Sequence, residues 1–306
     1  MGESVEVGVY IPQLAMEWDD LLQRARWAEA AGIDALWLMD HLYPPGLPAV
    51  ASFEGWTAAT ALLASTERLR VGLMVACANF RHPALLGKMA TSLDIVAGGR
   101  FTLGLGSGSF PLEHEQAGLP FGTFAERSDR LEETLAVVTA MFAGDPVTFD
   151  GEHVQVRDLP NLPPPLTPGG PPILVGGSGA RTLRLTARYA SVWNCVTSSL
   201  PDRPRTIERL HEACAAIGRD PAEITISSQG VLALVADEAD VEPAATRAAR
   251  LYGPNVTAGT PAQVVDALRA DMASGVQAFA FFLHDRGSKA TLDLLGAEVI
   301  PELKRS

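Results

Sequence analysis

Short runs of apolar residues recur along the whole chain, and each run is bounded by glycine, proline or polar residues. Runs that are apolar at nearly every position, such as 35–39, are typical of strands covered on both faces, as in parallel sheets. Together with shorter alternating runs, they predict eight strands, at residues 5–11, 35–39, 70–76, 100–106, 173–175, 192–196, 224–235 and 278–283.

Between these strands, apolar residues recur three and four positions apart, a spacing that predicts amphipathic helices. We expect helices at residues 17–31, 56–64, 83–96, 123–142, 180–189, 203–217, 243–252 and 261–275 and at the C-terminus. Eight strands alternating with helices predict an α/β fold, a (β/α)8 TIM barrel, and we expect residues 1–306 to form one such domain. A doubly wound parallel sheet is the alternative, because the order of elements does not separate the two folds.

Residues 145–172 interrupt this rhythm. Asp150-Gly151 stands between two short segments, 147–149 and 153–156, a pattern typical of a hairpin. A proline-rich run over 160–172 follows. We therefore predict an excursion on the surface of the barrel here.

Composition and charge narrow the class of protein. Of 306 residues, 47% are hydrophobic and 20% are charged, as in ordinary globular proteins. The net charge of −12 argues against nucleic acid and membranes as partners, because both need a basic face. Three cysteines without a pairing pattern, no leader segment and no long apolar run predict a cytoplasmic protein.

Chemistry is expected at the C-terminal ends of the strands, where TIM barrels place their active sites. The second strand ends in Asp40 and His41. The fourth strand contains Gly104 and Gly106, and Gly108 follows it. Asp40 and His41 form an acid/base pair in one interpretation, and in the other Asp40 accepts loop N–H bonds in a structural role. Adjacent strand residues point to opposite faces, so the pair does not predict a metal site.

Residues 176–179, Gly-Gly-Ser-Gly, connect the fifth strand to a helix. The backbone N–H groups of such a loop, with the helix dipole behind them, can hold a phosphate, and Ser178 adds a donor. A tight turn is the alternative. Three arginines then follow at helical spacing and form either a solvated face or a rim that attracts an anionic cofactor: Arg181, Arg184 and Arg188.

The remaining histidines give weaker signals. His82, before Pro83, either braces its loop or contacts a ligand. His114, His153 and His211 lie in surface-like contexts, and we assign them no function.

Several stretches, taken in their order along the chain, resemble the luciferase-like monooxygenase superfamily. The resemblance is closer to the branch that depends on the deazaflavin coenzyme F-420 (F420). These stretches are residues 31–41, 81–88, 98–108, 172–179, 189–194 and 259–261. The resemblance covers nearly the whole chain. It implies a (β/α)8 barrel with the flavin or deazaflavin lying over the C-terminal ends of the strands.

The resemblance also implies roles for individual residues. His41 matches a histidine that acts as acid/base in some members, and the third strand would carry a non-proline cis peptide bond at Met74–Val75. The glycines of the fourth strand would give clearance beneath the ring, and residues 176–179 would hold the phosphate. The residues implied in cofactor binding are Asp40, Met74, Val75, Ala76, Gly106, Gly108, Gly176, Gly177, Ser178, Gly179 and Asn194.

One departure from the branch concerns its proton donor. Sugar-phosphate dehydrogenases of this branch place a glutamate directly after Gly-x-Gly-x-Gly, where this chain has Ser109. Sugar-phosphate oxidation is therefore not expected. Glu113 is the nearest replacement, and with His41 it completes our set of candidate catalytic residues.

The leading hypothesis is an oxidoreductase that moves a hydride between coenzyme F-420 and a small organic substrate, with His41 handling the proton. The first alternative is an FMN-dependent monooxygenase, which would need a flavin reductase as partner and a dry pocket. The second is a cofactor-binding protein without catalysis. The resemblance implies a homodimer, and no metal is expected.

Overall fold

The computed structural model describes residues 5–305, and these contain a closed barrel of parallel strands. The strands, in chain order, are β1 (Glu6–Tyr10), β2 (Ala35–Leu38), β3 (Arg70–Leu73), β4 (Ala76–Cys77), β5 (Phe101–Gly106), β6 (Val147–Asp150), β7 (Gln155–Leu159), β8 (Ile173–Gly176), β9 (Val192–Cys195), β10 (Thr225–Leu234), β11 (Val256–Gly259) and β12 (Ala278–Leu283). The barrel order is β1-β2-β3-β5-β8-β9-β10-β12, and β12 pairs with β1 to close the ring. The predicted TIM barrel is confirmed, and the doubly wound sheet, which is open, is excluded.

Helices surround the barrel close to the predicted positions. They are α1 (Trp18–Ala30), α2 (Gly55–Ser65), α3 (Pro83–Val96), α4 (Pro111–Ala117), α5 (Phe124–Ala143), α6 (Ala180–Tyr189), α7 (Arg203–Ala215), α8 (Val241–Tyr252), α9 (Pro261–Ala273), α10 (Lys289–Leu294) and α11 (Ile300–Lys304). Several begin after a residue whose side chain accepts a first-turn N–H, such as Glu54 before α2 and Thr123 before α5. The ring of His82 accepts from the N–H of Ala84 at the start of α3, so His82 braces this helix.

Two segments were not predicted. Helix α4 lies where we expected a loop, and it is shorter than the window over which helical periodicity becomes visible. Strand β11 lies beside the C-terminal half of β10, beyond the part of β10 that pairs with β9. It is only partly buried, so it lacks an apolar run. The hairpin is confirmed, because β6 and β7 pair antiparallel outside the barrel.

The third strand of the barrel is interrupted where the sequence predicts one continuous strand. β3 ends at Leu73, the Met74–Val75 peptide bond is cis as expected from the resemblance, and β4 then pairs with β5. At this interruption the chain comes very close to β5. A β-carbon added to Gly104 would lie 2.0 Å from the carbonyl oxygen of Leu73, and one added to Gly106 would lie 2.6 Å from Val75 Cγ2.

The glycines of β5 serve the packing of the barrel wall. The space that side chains at Gly104 and Gly106 would need is filled by the end of β3 and by the Val75 side chain. Glycine is therefore required at both positions for strand packing, before any ligand is considered. That these glycines also leave clearance beneath a ring stays a prediction.

The main core lies between the barrel and its helices, where strand residues such as Leu36, Val71 and Leu103 are fully buried. A second cluster fills the inside of the barrel and includes Tyr10, Trp37, Met74 and Leu174. Within residues 5–305, no helix combines the length and apolar character needed to cross a membrane.

We predict that Gly104→Ala destabilises the protein because its new methyl group meets backbone that cannot rotate away. Overpacking of this kind lowers the free energy of unfolding by about 1–3 kcal/mol. Gly230→Ala is the matched control, since its β-carbon would lie 3.8 Å from Phe281, an ordinary contact. We expect the control to change stability by less than about 1 kcal/mol. Denaturant unfolding of both variants measures the difference, and equal stabilities would contradict this packing argument.

Candidate functional site

A cavity of about 460 Å³ lies over the C-terminal ends of β2, β4, β5 and β8. This volume is within the range of small-molecule and cofactor sites. The cavity brings together many of the residues that the sequence singles out: Asp40, His41, Met74, Val75, Ala76, Gly106, Gly108, Glu113 and Gly176. Ser109, the residue that directly follows the glycine-rich stretch, also lines it.

His41 and Glu113 form the main polar contact in this cavity. His41 follows β2, and Glu113 reaches it from α4 with its Oε2 at 2.9 Å from His41 Nδ1. The other carboxylate oxygen of Glu113 accepts the backbone N–H of Leu42. Glu113 is only 2% exposed, whereas the side chain of His41 is 22% exposed. Glu113 therefore holds the His41 ring at Nδ1, while part of the His41 side chain remains accessible to solvent.

Asp40 has a different set of partners. Its carboxylate takes two hydrogen bonds from the Arg81 guanidinium, at 2.7 and 2.9 Å, and one from the N–H of Cys77 at 2.9 Å. Burial raises the pKa of the Asp40 carboxyl, and the hydrogen bonds and charge of Arg81 oppose that rise. Arg81 also contacts Glu54 at 2.7 Å. Asp40 thus joins the end of β2 to the segment after β4, which agrees with its structural interpretation, and it still lines the cavity.

Cys77 and His114 form a second polar pair at the cavity wall. His114 Nδ1 lies 3.0 Å from the carbonyl oxygen of Phe110, which can only accept, so Nδ1 carries a proton. His114 Nε2 lies 3.6 Å from Cys77 Sγ. Burial raises the pKa of the Cys77 thiol to about 12, so the thiol stays protonated and can donate to Nε2.

The position of His114 corrects the sequence interpretation. We assigned it to the surface, but it is 1% exposed and packs between Phe80 and Phe121. The contacts of His114 and Glu113 both depend on α4, which the sequence analysis missed. A signal was present, because Pro111 stands at the first helical turn and Gly118 ends the helix with a φ of +67°.

The loop at the end of β8 is only partly in the cavity. Gly176 lines the cavity, but Gly177, Ser178 and Gly179 do not. The Ser178 hydroxyl lies 3.2 Å from that of Ser199, and α6 begins after Gly179 without a side-chain cap. Gly179 has no side chain that could cap this helix. The first-turn N–H groups of α6 therefore remain able to donate to an anion.

Asn194 is buried beside this loop and does not line the cavity. Its Nδ2 lies 3.4 Å from Gln229 Oε1, whereas its Oδ1 has no hydrogen-bond partner. A buried acceptor without a partner is unusual in a native structure. Asn194 is located next to Gly176, because a β-carbon added to Gly176 would lie 3.9 Å from Asn194 Nδ2.

The three arginines of α6 belong to a groove on the outer helical layer. Arg181 forms ion pairs with Asp129 and Glu132 of α5, and Arg188 lies 4.0 Å from Glu132. Arg181, Arg184 and Arg188 line this groove and do not line the cavity. Of the two interpretations of these arginines, the structure favours the solvated face.

Comparison with known proteins gives consistent results. The chain is 31% identical over 247 residues to the F420-dependent hydroxymycolic acid dehydrogenase of Mycobacterium tuberculosis, covering 80% of this chain and 66% of the relative. It is 36% identical over 182 residues to the F420-dependent glucose-6-phosphate dehydrogenase of Beutenbergia cavernae, covering 58% and 52%. The chain thus spans less than two thirds of the length of either relative.

The fold is shared with solved structures. An F420-dependent secondary alcohol dehydrogenase in complex with an F420-acetone adduct superposes with a TM-score of 0.84 at 19% identity, covering 98% of this chain and 99% of that chain. The profile of the luciferase-like monooxygenase family matches residues 4–256. From this match, supported by the barrel and by its relatives, we conclude that the chain belongs to the luciferase-like monooxygenase family.

Proposed function

We propose that this protein is an oxidoreductase that transfers a hydride between coenzyme F-420 and a small organic substrate. The observation that carries the proposal is the histidine of the cavity, His41, held at Nδ1 by the buried Glu113. Such an oriented imidazole is suited to accept or donate a proton near neutral pH. The names of the two relatives compared above support F420 as the cofactor.

The residues around the cavity fit a deazaflavin. Met74, Val75 and Ala76 provide a largely apolar wall, and Gly176 lines the cavity with no side chain. Behind this lining, Asn194 pairs with Gly176 between β8 and β9, and its buried Oδ1 has no hydrogen-bond partner. We propose that these residues hold the ring system and that the loop of Gly176, Gly177, Ser178 and Gly179 binds the phosphate through its N–H groups.

The protein's own tasks follow from this arrangement. When bound, the deazaflavin supplies or accepts the hydride. His41 exchanges the accompanying proton with the substrate oxygen, and Asp40 with Arg81 fixes the loops that shape the cavity. Of the two carboxylates in the cavity lining, Asp40 is held by Arg81 and Glu113 by His41. Because Ser109 stands where the sugar-phosphate enzymes have their acid, we propose a substrate other than a sugar phosphate.

A second candidate is an FMN-dependent monooxygenase that receives reduced flavin from a partner reductase. The match to the luciferase-like monooxygenase profile favours it, since that family is named for this chemistry. FMN has the same kind of ring and a phosphate, so the cavity fits it as well. We further propose that the protein is cytoplasmic, which its three cysteines without a pairing pattern support, and that it is a homodimer, which the family resemblance implies. A protein that only binds the cofactor would not need the buried carboxylate behind His41.

We predict that the protein binds coenzyme F-420 and consumes no oxygen in its reduced form. Titration of oxidised F420 with protein, followed by its fluorescence, measures binding, and an oxygen electrode follows the reduced cofactor. FMN is titrated under the same conditions as the comparison. Binding of FMN alone, with oxygen uptake, would identify the monooxygenase instead.

We predict that His41→Ala lowers kcat about 10²- to 10⁴-fold while F420 affinity changes little, because the lost group handles a proton. Turnover of a panel of secondary alcohols with oxidised F420 provides the assay. His211→Ala is the matched control, since this histidine is exposed on α7. The acid/base role is wrong if His41→Ala retains wild-type turnover on every substrate that the wild-type protein accepts.

A further inference from the structure

We propose that Glu113 is a positioning residue that fixes His41 in one tautomer, with the proton on Nδ1 and with Nε2 left to exchange a proton in the cavity. Our sequence analysis treated Glu113 as a replacement for the acid missing at Ser109. Its contacts give it a different task, because it bonds to the histidine and lies behind the ring.

The hydrogen-bonding capacity of the Glu113 carboxylate decides the direction of its bond to His41. An ionised carboxylate accepts hydrogen bonds and donates none. One oxygen of Glu113 accepts from the N–H of Leu42, and the other lies 2.9 Å from His41 Nδ1. With the carboxylate ionised, His41 Nδ1 is the donor of this bond. In a neutral imidazole the proton then sits on Nδ1, and Nε2 is a free acceptor.

Glu113 is held in place by its helix. It lies on α4, whose next residue, His114, contacts the Phe110 carbonyl and the Cys77 thiol. Phe110, at the start of the same helix, packs edge-on against the His41 ring, with the two ring centroids 5.3 Å apart. Helix α4 is thus held by contacts on both sides of Glu113. A rotation of the Glu113 side chain away from His41 would break its own bonds to His41 and to the N–H of Leu42.

The other charged groups near His41 have partners of their own. Asp40 precedes His41 in the chain, but both Asp40 oxygens are bonded to Arg81. Cys77 and His114 bond to each other, and Glu54 is bonded to Arg81. Glu113 is consequently the carboxylate that bonds to the His41 ring. Among these charged and imidazole groups, His41 is the partly exposed imidazole that a carboxylate holds.

The tautomer follows from the contacts of the protein alone, whereas its use in catalysis rests on the function proposed above. The two parts are tested separately. Glu113→Gln is the informative variant, because its amide oxygen can keep the bond from the Leu42 N–H. The amide NH₂ group then faces His41 Nδ1 as a donor. Nδ1 has to accept, and the proton moves to Nε2.

The tautomer is read by two-bond ¹H–¹⁵N NMR of ¹⁵N-histidine-labelled protein without cofactor, with His41→Ala assigning the His41 signals. We expect wild-type His41 to show a protonated Nδ1 and an unprotonated Nε2, and Glu113→Gln to exchange the two signals. Glu115→Gln, which removes the same charge from an exposed position on α4, leaves them unchanged.

A wild-type His41 protonated on Nε2 overturns the proposal, even if Glu113→Gln fails to fold. An unchanged His41 tautomer in a folded Glu113→Gln also overturns it. With F420 and an accepted substrate, Glu113→Gln should lose about 10²-fold or more in kcat with little change in KM, and Glu115→Gln should lose none. An Nδ1–H tautomer without F420 activity would disprove the proposed function and leave the positioning role of Glu113 in place.

Discussion

The site depends on the close approach of the end of β3 to β5. The carbonyl of Leu73 and the side chain of Val75 occupy the space where side chains at positions 104 and 106 would be. This approach allows Ala76 and Cys77 to pair with β5 as a short separate strand. The N–H of Cys77 then reaches Asp40, and Arg81 follows a few residues later. A change in the packing at Gly104 would therefore propagate to the ion pair and to the cavity wall.

Two carboxylates line the same cavity and have different environments. Asp40 is paired with a guanidinium in a bidentate geometry, which fixes its position and neutralises its charge. Glu113 is paired with an imidazole and a backbone N–H. An imidazole, unlike a guanidinium, can exchange a proton near neutral pH. The two carboxylates therefore differ in role because their partners differ. Asp40, bonded to Arg81, has a structural role, and in our proposal Glu113, bonded to His41, takes part in proton transfer through the histidine.

The chain is similar in sequence to a sugar-phosphate dehydrogenase, and the family resemblance implies a difference at one chemically important position. The chain is 36% identical over 182 residues to one such enzyme, and its glycine-rich stretch ends in Ser109. Neither remaining carboxylate of the cavity lining is free, because each is bonded to a cationic or imidazole partner. Each carboxylate of the cavity lining is therefore committed to a partner of its own.

Most of the order of strands and helices was determined by the sequence alone, because apolar periodicity is a local signal. The closure of the barrel was not, since the same order fits an open sheet and only the pairing of β12 with β1 separates the two folds. His41 and Asp40 could be singled out because they end a buried strand. The bond from Glu113 to His41 could not, since 72 positions separate the two residues and α4 is too short to show periodicity. The burial of His114 and the packing at Gly104 and Gly106 were also decided by tertiary structure. Each depends on which segments meet in space, and no local pattern encodes that.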